Sequence, residues 1–157
     1  MKTNKIQDLL DSKGNRPTIS IGPDETVFAA VTCMVKNNIG ALLVLEDGRI
    51  CGILTERDYL RFVTLQGRTA RDTPVHELMT RKVVYVTPTT DLHEVMAIMT
   101  KEFIRHVPVL EGQILLGIVS IGDVVKRISH DQTAQIRVLE EYISDSYPGP
   151  PRGASSN

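Results

Sequence analysis

The sequence predicts an α+β (mixed α/β) fold with two copies of one β-α-β-β-α unit and a C-terminal helix after them. Two observations lead to this prediction. Residues 18–63 align with residues 83–128 at a constant offset of 65 without a gap, and both copies show the same order of strand-like and helix-like patterns. Identical residues recur along the unit, among them Met34/Met99, Gly52/Gly117, Ile53/Ile118 and Asp58/Asp123. One unit of about 46 residues buries too little apolar surface to be stable alone, so we expect the copies to pack face to face.

Each copy opens with a short β-rich segment, at residues 18–21 in the first copy and 83–86 in the second. A Pro-containing turn follows, and then apolar residues at the spacing of an amphipathic helix. These apolar residues are Val27, Ala30, Val31, Met34 and Val35 in the first copy and Leu92, Val95, Met96 and Met99 in the second. The order of strand, helix and strand predicts a right-handed crossover.

Two apolar runs come next, ALLVLEDGRICGILT and HVPVLEGQILLGIVS. Each run is interrupted by an acidic residue and a glycine, Asp47-Gly48 in the first and Glu111-Gly112 in the second, which is typical of a β-hairpin turn. A second helix is predicted over residues 56–65 and 121–130.

The remaining segments connect or extend the copies. A short helical pattern precedes each copy, IQDLL in the first and VHELM in the second, and a further amphipathic pattern follows residue 130. The final residues are rich in Pro, Gly and Ser, as in disordered segments. We therefore divide the chain into a first repeat at 6–67, a second repeat at 73–130, a C-terminal helix at 131–144 and a disordered tail at 145–157.

The composition is that of an ordinary globular protein, 41% hydrophobic and 24% charged. The net charge is −1 without a basic block, which argues against nucleic acid or a membrane surface as the main partner. The N-terminus lacks the apolar centre of a secretory signal and no apolar stretch could span a bilayer, so we expect a soluble cytoplasmic protein. Cys33 and Cys51 lie in apolar patterns without metal-ligand spacing, which predicts reduced core residues and no metal site.

A hydroxyl residue precedes an aspartate by three positions in both copies, as Thr55 and Asp58 and as Ser120 and Asp123. At a strand-to-helix junction this spacing predicts a capping box, with the acid favoured by the helix dipole. The same geometry suits a ligand, because a helix N-terminus binds phosphate and a carboxylate accepts hydrogen bonds from both ribose hydroxyls. The motif is weak alone and stronger when it recurs at one register.

Basic residues near these motifs are candidates for phosphate binding. Arg57 lies in the first helical turn, where a cation opposes the dipole unless an anion binds, although a solvated surface arginine is the alternative. Arg105 and His106 stand at the entrance of a predicted strand, where a guanidinium would suit phosphate oxygens. The alternative for His106 is a hydrogen-bonded structural histidine.

These stretches resemble a known family. GALLVLEDGRICGILTERDYLR, VHELMTRKVVYVTP and IRHVPVLEGQILLGIVSIGDVVK are similar to tandem cystathionine-β-synthase (CBS) domains, the Bateman module, and above all to small stand-alone CBS-pair proteins. The resemblance implies two repeats packed as a pseudo-twofold pair through their sheets, commonly with two pairs in a homodimer. It also implies two clefts for adenosine compounds, namely AMP, ADP, ATP or NAD(H), and it allows S-adenosylmethionine.

The resemblance assigns residues to parts of such a ligand. Asp58 and Asp123 would hold the ribose, and Thr55 and Ser120 would lie near phosphate, with Arg57, Arg105 and His106 as further phosphate-binding candidates. The adenine would be lined by Thr18, Ile19, Ile39, Gly40 and Ala41 in the first copy and by Val83, Val84 and Ile104 in the second.

The copies differ at these positions. Arg105-His106 in the second copy corresponds to Gly40-Ala41 in the first, and Arg57 in the first corresponds to Gly122 in the second. We therefore expect the Asp58 cleft to be the better phosphate site. The Asp123 cleft is expected to prefer a less charged adenosine group or to stay empty.

Two functions remain open at this point. The first is a regulatory protein that senses energy or redox state by binding an adenosine nucleotide and changes the conformation it presents to an unidentified protein partner. The alternative is a ligand-independent interaction or scaffold protein with degenerate clefts. The sequence has no G-x-S-x-G, P-loop, H-E-x-x-H or Cys/His pattern, so we expect neither an enzyme nor a required cofactor.

Overall fold

Two units with the same order of strands and helices follow one another in the computed structural model, which describes residues 4–14, 16–65 and 67–131. The helices are α1 (Ile6–Lys13), α2 (Val27–Asn37), α3 (Glu56–Phe62), α4 (Val75–Leu78), α5 (Leu92–Glu102) and α6 (Ile121–Asp131). The strands are β1 (Ser20–Ile21), β2 (Ala41–Glu46), β3 (Arg49–Thr55), β4 (His106–Glu111) and β5 (Ile114–Ser120). Residues 132–144 of the predicted C-terminal helix and the predicted tail at 145–157 lie outside the described residues.

The first repeat contains a three-stranded sheet in the order β1-β2-β3. Strand β1 runs parallel to β2, with α2 as the crossover, and β2 and β3 form an antiparallel hairpin. The two residues between the hairpin strands, Asp47 and Gly48, have φ angles of 49° and 77°. Positive φ at both central positions is the geometry that an Asp-Gly turn favours in a two-residue hairpin, so the predicted turn is confirmed.

The second repeat has the same hairpin but lacks a true first strand. Strands β4 and β5 pair antiparallel, and the strand predicted at 83–86 is reduced to a single parallel bridge between Val86 and Val109. The reason lies on β4. Val86 N–H donates to the Pro108 carbonyl and Leu110 N–H to the Val86 carbonyl, but the next bond of a parallel ladder would need an N–H on Pro108. The corresponding residue of the first repeat is Leu43, which pairs with Ser20.

The short helices α1 and α4 cross over between the repeats. Ile6 and Leu9 of α1 belong to the core of the second repeat, whereas Val75 of α4 belongs to the core of the first. Backbone bridges fix both crossings, between Lys5 and Asp91 and between Thr26 and Pro74. A division of the chain at 67–73 therefore follows the sequence but not the packing of these two helices.

Glycines on the second hairpin strand of each repeat make room for the crossing segments. A Cβ atom on Gly52 would lie 2.8 Å from Met79 Cγ and 3.1 Å from the Thr80 carbonyl oxygen. A Cβ atom on Gly117 would lie 3.2 Å from Leu10 Cδ2. The repeated glycine thus allows close packing, in the first repeat against the residues that follow α4 and in the second against α1 itself.

The two hairpins pack against each other through apolar side chains. Ala41, Leu43 and Ile53 are buried, and they form one cluster with partly buried residues of both repeats, among them Val83, Leu115 and Ile118. This packing of one sheet on the other confirms the predicted α+β pair of repeats. Among the described helices, none has the length and apolar character needed to cross a membrane.

The cysteines pack with the first repeat. Cys33 and Cys51 are both free and half-buried, and both contact its core. Burial raises the pKa of the Cys51 thiol, as does the nearby Glu46 carboxylate, and the thiol donates to the Val44 carbonyl across 3.4 Å.

Candidate functional site

The junction of β3 and α3, residues 55–58, is called here the Asp58 corner. Thr55 N–H donates to Asp58 Oδ2 at 2.9 Å, and Asp58 N–H donates to Thr55 Oγ1 at 3.3 Å, so the predicted capping box is confirmed. The Thr55 hydroxyl also donates to Asp58 Oδ2, at 3.0 Å. Capping thus fixes the carboxylate at the helix N-terminus, where the backbone also carries partial positive charge.

A residue from the crossing segment completes the Asp58 corner. The Ile53 and Thr80 backbones exchange two hydrogen bonds, which places Thr80 beside β3. The Thr80 hydroxyl then donates to Asp58 Oδ1 at 3.3 Å. Asp58 is only 9% exposed and is held entirely by neutral donors among these contacts.

The junction of β5 and α6, residues 120–123, is the Asp123 corner, and its capping bonds match. Ser120 N–H donates to Asp123 Oδ2 at 2.9 Å and Asp123 N–H to Ser120 Oγ at 3.1 Å. The crossing segment here brings an ammonium group instead of a hydroxyl. Lys13 Nζ lies 2.7 Å from Asp123 Oδ2 and also donates to the Ile118 carbonyl at 3.2 Å. The two side chains are 31% and 27% exposed.

The charge of Lys13 changes the acidity of its partner. Burial alone would raise the pKa of Asp123, but the hydrogen bond from Lys13 and the backbone N–H of Ser120 outweigh it, so the pKa lies below its usual value. Asp123 is therefore an ionised carboxylate already paired with a cation of the same chain.

His106 lies between the two corners. It pairs with Ser120 across the β4–β5 ladder, and its Cε1 atom lies 3.4 Å from the Cβ position of a side chain at Gly40. Burial lowers the pKa of His106, and although Asp123 and Glu56 oppose this effect, Arg105 and Lys13 add to it. The ring is consequently a neutral hydrogen-bonding group at neutral pH.

Matching backbone bonds tie each corner to the strand entrance beside it. Glu56 N–H donates to the Gly40 carbonyl at 3.1 Å, and Ile121 N–H donates to the Arg105 carbonyl at 2.9 Å. Gly40 also leaves space, because a Cβ atom there would lie 3.2 Å from Glu56 Oε1. The strand entrances predicted from sequence therefore adjoin the helix N-termini in both repeats.

Arg57 reaches from the first repeat to the second. Its Nη1 atom donates to the Phe103 carbonyl at 3.1 Å, two residues before Arg105. The phosphate-binding candidates of the first repeat and the Arg105-His106 pair thus lie on neighbouring segments. Ser120 belongs to the other corner.

The residues predicted to contact adenine have different surroundings. Ile19 and Ile39 are partly buried against the core of the first repeat, and Ile104 against that of the second. Ala41 is buried in the cluster between the sheets, and Val83 packs on that cluster beside first-repeat strands. Thr18, Gly40 and Val84 are half-buried. Contact of these residues with a base stays a prediction.

Sequence reasoning missed Thr80 and Lys13. Neither lies within the segments that align at an offset of 65. Lys13 is the last residue of α1, and Thr80 lies just after α4. The signal was the echo of IQDLL at 6–10 by VHELM at 75–79, whose offset of 69 differs from that of the repeats.

A shallow depression of about 360 Å³ lies away from these groups. Its lining residues are Gly22, Pro23, Asp24, Glu25 and Thr26, and it includes none of the predicted nucleotide-binding residues. Within the described part of the chain, no three His, Cys, Asp or Glu side chains come together as metal ligands.

Two repeats, packed sheet to sheet with a capped aspartate at each strand-to-helix corner, define a tandem-repeat module with two corresponding candidate sites. The CBS domain model matches residues 8–65 and 75–130. The chain therefore belongs to the CBS domain family and carries two CBS domains, as the sequence resemblance predicted. Proteins with such pairs are generally regulatory rather than catalytic.

Relatives support this assignment at the level of whole chains. The chain is 39% identical to the mitochondrial CBS domain-containing protein CBSX3 of Arabidopsis thaliana, over 93% of this chain and 75% of that protein. A solved protein with CBS domains from Burkholderia ambifaria is 42% identical, with a TM-score of 0.78 over 82% of this chain and 96% of its own.

Two further solved structures show what relatives bind or assemble into. One CBS domain pair, in complex with 5′-methylthioadenosine and S-adenosyl-L-methionine, shares the fold at 22% identity, with a TM-score of 0.72 over 83% of this chain and all of its own. A hexameric CBS-CP12 protein from bloom-forming cyanobacteria is 28% identical, with a TM-score of 0.66 over 77% of this chain and 69% of its own.

Proposed function

We propose that this protein is a regulatory module that binds an adenosine nucleotide and presents a ligand-dependent conformation to a separate protein partner. The observation that carries the proposal is the Asp58 corner with the Arg105-His106 segment beside it. A buried carboxylate, a helix N-terminus and two arginines on neighbouring segments are the groups that ribose and phosphate require. The adenosine-derived ligands of the related CBS pair support the same chemical class.

The partners of Asp58 are compatible with a ribose. Thr55 and Thr80 are hydroxyl donors, and a hydroxyl can rotate to accept a hydrogen bond once a ligand hydroxyl takes its place. Each charge-assisted hydrogen bond from a ribose hydroxyl would then contribute about 1.5–3 kcal/mol. Opening this corner to a ligand thus breaks none of the ion pairs seen among the described residues.

Phosphate would lie between Thr55 and the second repeat. Arg57 and Arg105 supply cationic groups from the two repeats, and neutral His106 supplies a further polar group. A phosphate bound by both sides would stabilise one relative arrangement of the repeats, since a ligand shifts a conformational equilibrium by its differential affinity. AMP, ADP, ATP and NAD(H) are the favoured compounds, with S-adenosylmethionine as a further candidate.

The signal would leave the module through its surface. Leu60 and Val63 are exposed apolar residues at and just after α3, a surface suited to a second copy of the chain. The hexameric relative supports assembly as a property of the family. We therefore propose a homodimer in the cytoplasm as the working state. The alternative compartment is the mitochondrion, because one relative is a mitochondrial protein.

A scaffold function without ligand is the second candidate, and one observation favours it. The Lys13–Asp123 ion pair fills the Asp123 corner with a group of the chain itself. If the Asp58 corner were equally closed, the pair of repeats would serve only to present surfaces.

Thermal shift measurements separate these functions. The protein is heated with AMP, ADP, ATP, NAD, NADH or S-adenosylmethionine, and the same samples are analysed for products. A ligand at 100 times its Kd should stabilise the fold by about 2.7 kcal/mol, which raises the Tm of a chain of this size by about 5 °C or more. An unchanged Tm with all six compounds would favour the scaffold, and turnover would indicate an enzyme.

A further inference from the structure

We propose that Lys13 decides which of the two clefts admits a nucleoside, by occupying the Asp123 carboxylate until a ligand displaces it. The inference rests on the proposed function and deepens it. Lys13 lies outside the aligned repeats, 110 residues from Asp123 along the chain, and reaches it only because α1 crosses to the second repeat.

The geometry around Lys13 is that of a fixed group. Its ammonium donates both to Asp123 Oδ2 and to the Ile118 carbonyl on β5. Its backbone belongs to the last turn of α1, a helix anchored in the second core by Ile6 and Leu9. The side chain is therefore directed by two hydrogen bonds at one end and by a buried helix at the other.

This position conflicts with ribose binding. A ribose diol donates two hydroxyl protons to a carboxylate, and Asp123 Oδ2 already receives Ser120 N–H and the Lys13 ammonium. An ammonium group has only donors, so it cannot rotate to accept a bond from the incoming hydroxyl as a threonine can. A nucleoside whose diol bonds Asp123 Oδ2 must therefore break the ion pair, whereas the contacts made by the Thr55 and Thr80 side chains at Asp58 require only that hydroxyl groups reorient.

Lys82 provides a matched position. It lies 69 residues after Lys13, the offset that relates the two leading helices, and it is exposed. At Asp58 it is Thr80 of that segment that reaches the carboxylate. The same substitution at Lys13 and Lys82 thus compares an occupying lysine with its exposed counterpart.

Calorimetry with adenosine, which has no phosphate, tests the proposal in an Asp58→Ala background that leaves only the second cleft. Lys13→Met keeps the length and the apolar stem of the side chain and removes the charge. We expect it to raise adenosine affinity about tenfold or more, the effect of one charge-assisted hydrogen bond. Lys13→Arg should leave binding weak, and Lys82→Met should change nothing.

The opposite results overturn the proposal. Unchanged adenosine affinity in Lys13→Met would show that the ion pair does not compete with ribose. Weaker AMP binding in that variant, with adenosine unaffected, would make Lys13 a phosphate ligand instead. If the wild-type protein binds AMP or ATP but all these variants bind adenosine with the same affinity, the proposed role of Lys13 is wrong and the proposed function stands. If wild type and every variant bind no adenosine compound, the proposed function is lost with it.

Discussion

The Asp58 and Asp123 corners share one motif, one register and one set of capping bonds, yet their aspartates meet different partners. Asp58 of the first repeat receives a hydrogen bond from the Thr80 hydroxyl of the second repeat. Asp123 of the second repeat is paired with the Lys13 ammonium of the first. Duplication therefore supplied the same carboxylate twice, and the crossing segments made the two unequal. In the proposed function, the local motif would define where a ligand binds, and a residue distant in sequence would determine how readily it does so.

Removal of each carboxylate should produce the largest difference between the corners. Asp58→Ala is expected to weaken AMP or ATP binding by about 2–4 kcal/mol, or roughly 30- to 1,000-fold, because two charge-assisted hydrogen bonds are lost. Asp123→Ala should have a smaller effect, since its cleft is already occupied. Calorimetric titration of both variants measures the ranking, and equal losses would contradict it.

Glycine substitutions compare how tightly the crossing segments pack. Gly52→Ala places a methyl group against Met79 and 3.1 Å from a backbone oxygen, so we expect about 1–3 kcal/mol of destabilisation. Gly117→Ala meets only the end of the Leu10 side chain, which can move, and should cost less. Urea denaturation gives both values. A loss at Gly117 as large as that at Gly52 would show that the two crossings are equally tight.

Of the three comparisons, the pH dependence of the unfolding free energy should show the smallest difference between the corners. The pKa of Asp123 is lower in the folded protein than its unfolded value of about 3.9, so its contribution is present above that pH and is lost as the pH falls through the folded value. The expected loss is on the order of 1 kcal/mol, as for a partly exposed ion pair.

The control is Asp123→Asn, which should flatten the decline in unfolding free energy between pH 5 and pH 3 in denaturant titrations. Lys13→Met should flatten it in part, because the Ser120 N–H still favours the ionised carboxylate. A decline as steep in Asp123→Asn as in the wild-type protein would assign the acid sensitivity to other groups.

The sequence predicted the features that depend on local chemistry. The Asp47-Gly48 turn and the Thr55–Asp58 box follow from backbone preferences within a few residues, and the paired helices follow from apolar periodicity. The strand predicted at 83–86 failed for a reason in another segment, because Pro108 cannot donate to it. Thr80 and Lys13 were missed because their roles depend on which repeat their helices contact, and local patterns carry no information about that choice.

The exchange of α1 and α4 has a consequence for cutting the chain in two. A fragment that ends in the linker near residue 67 would keep α1, whose Ile6 and Leu9 belong with the other half, and would lack Val75 for its own interior. Separately produced halves should each remain unfolded, yet recover native structure when mixed. Severed pieces that reassociate in this way would serve as a reporter of proximity between any two proteins fused to them.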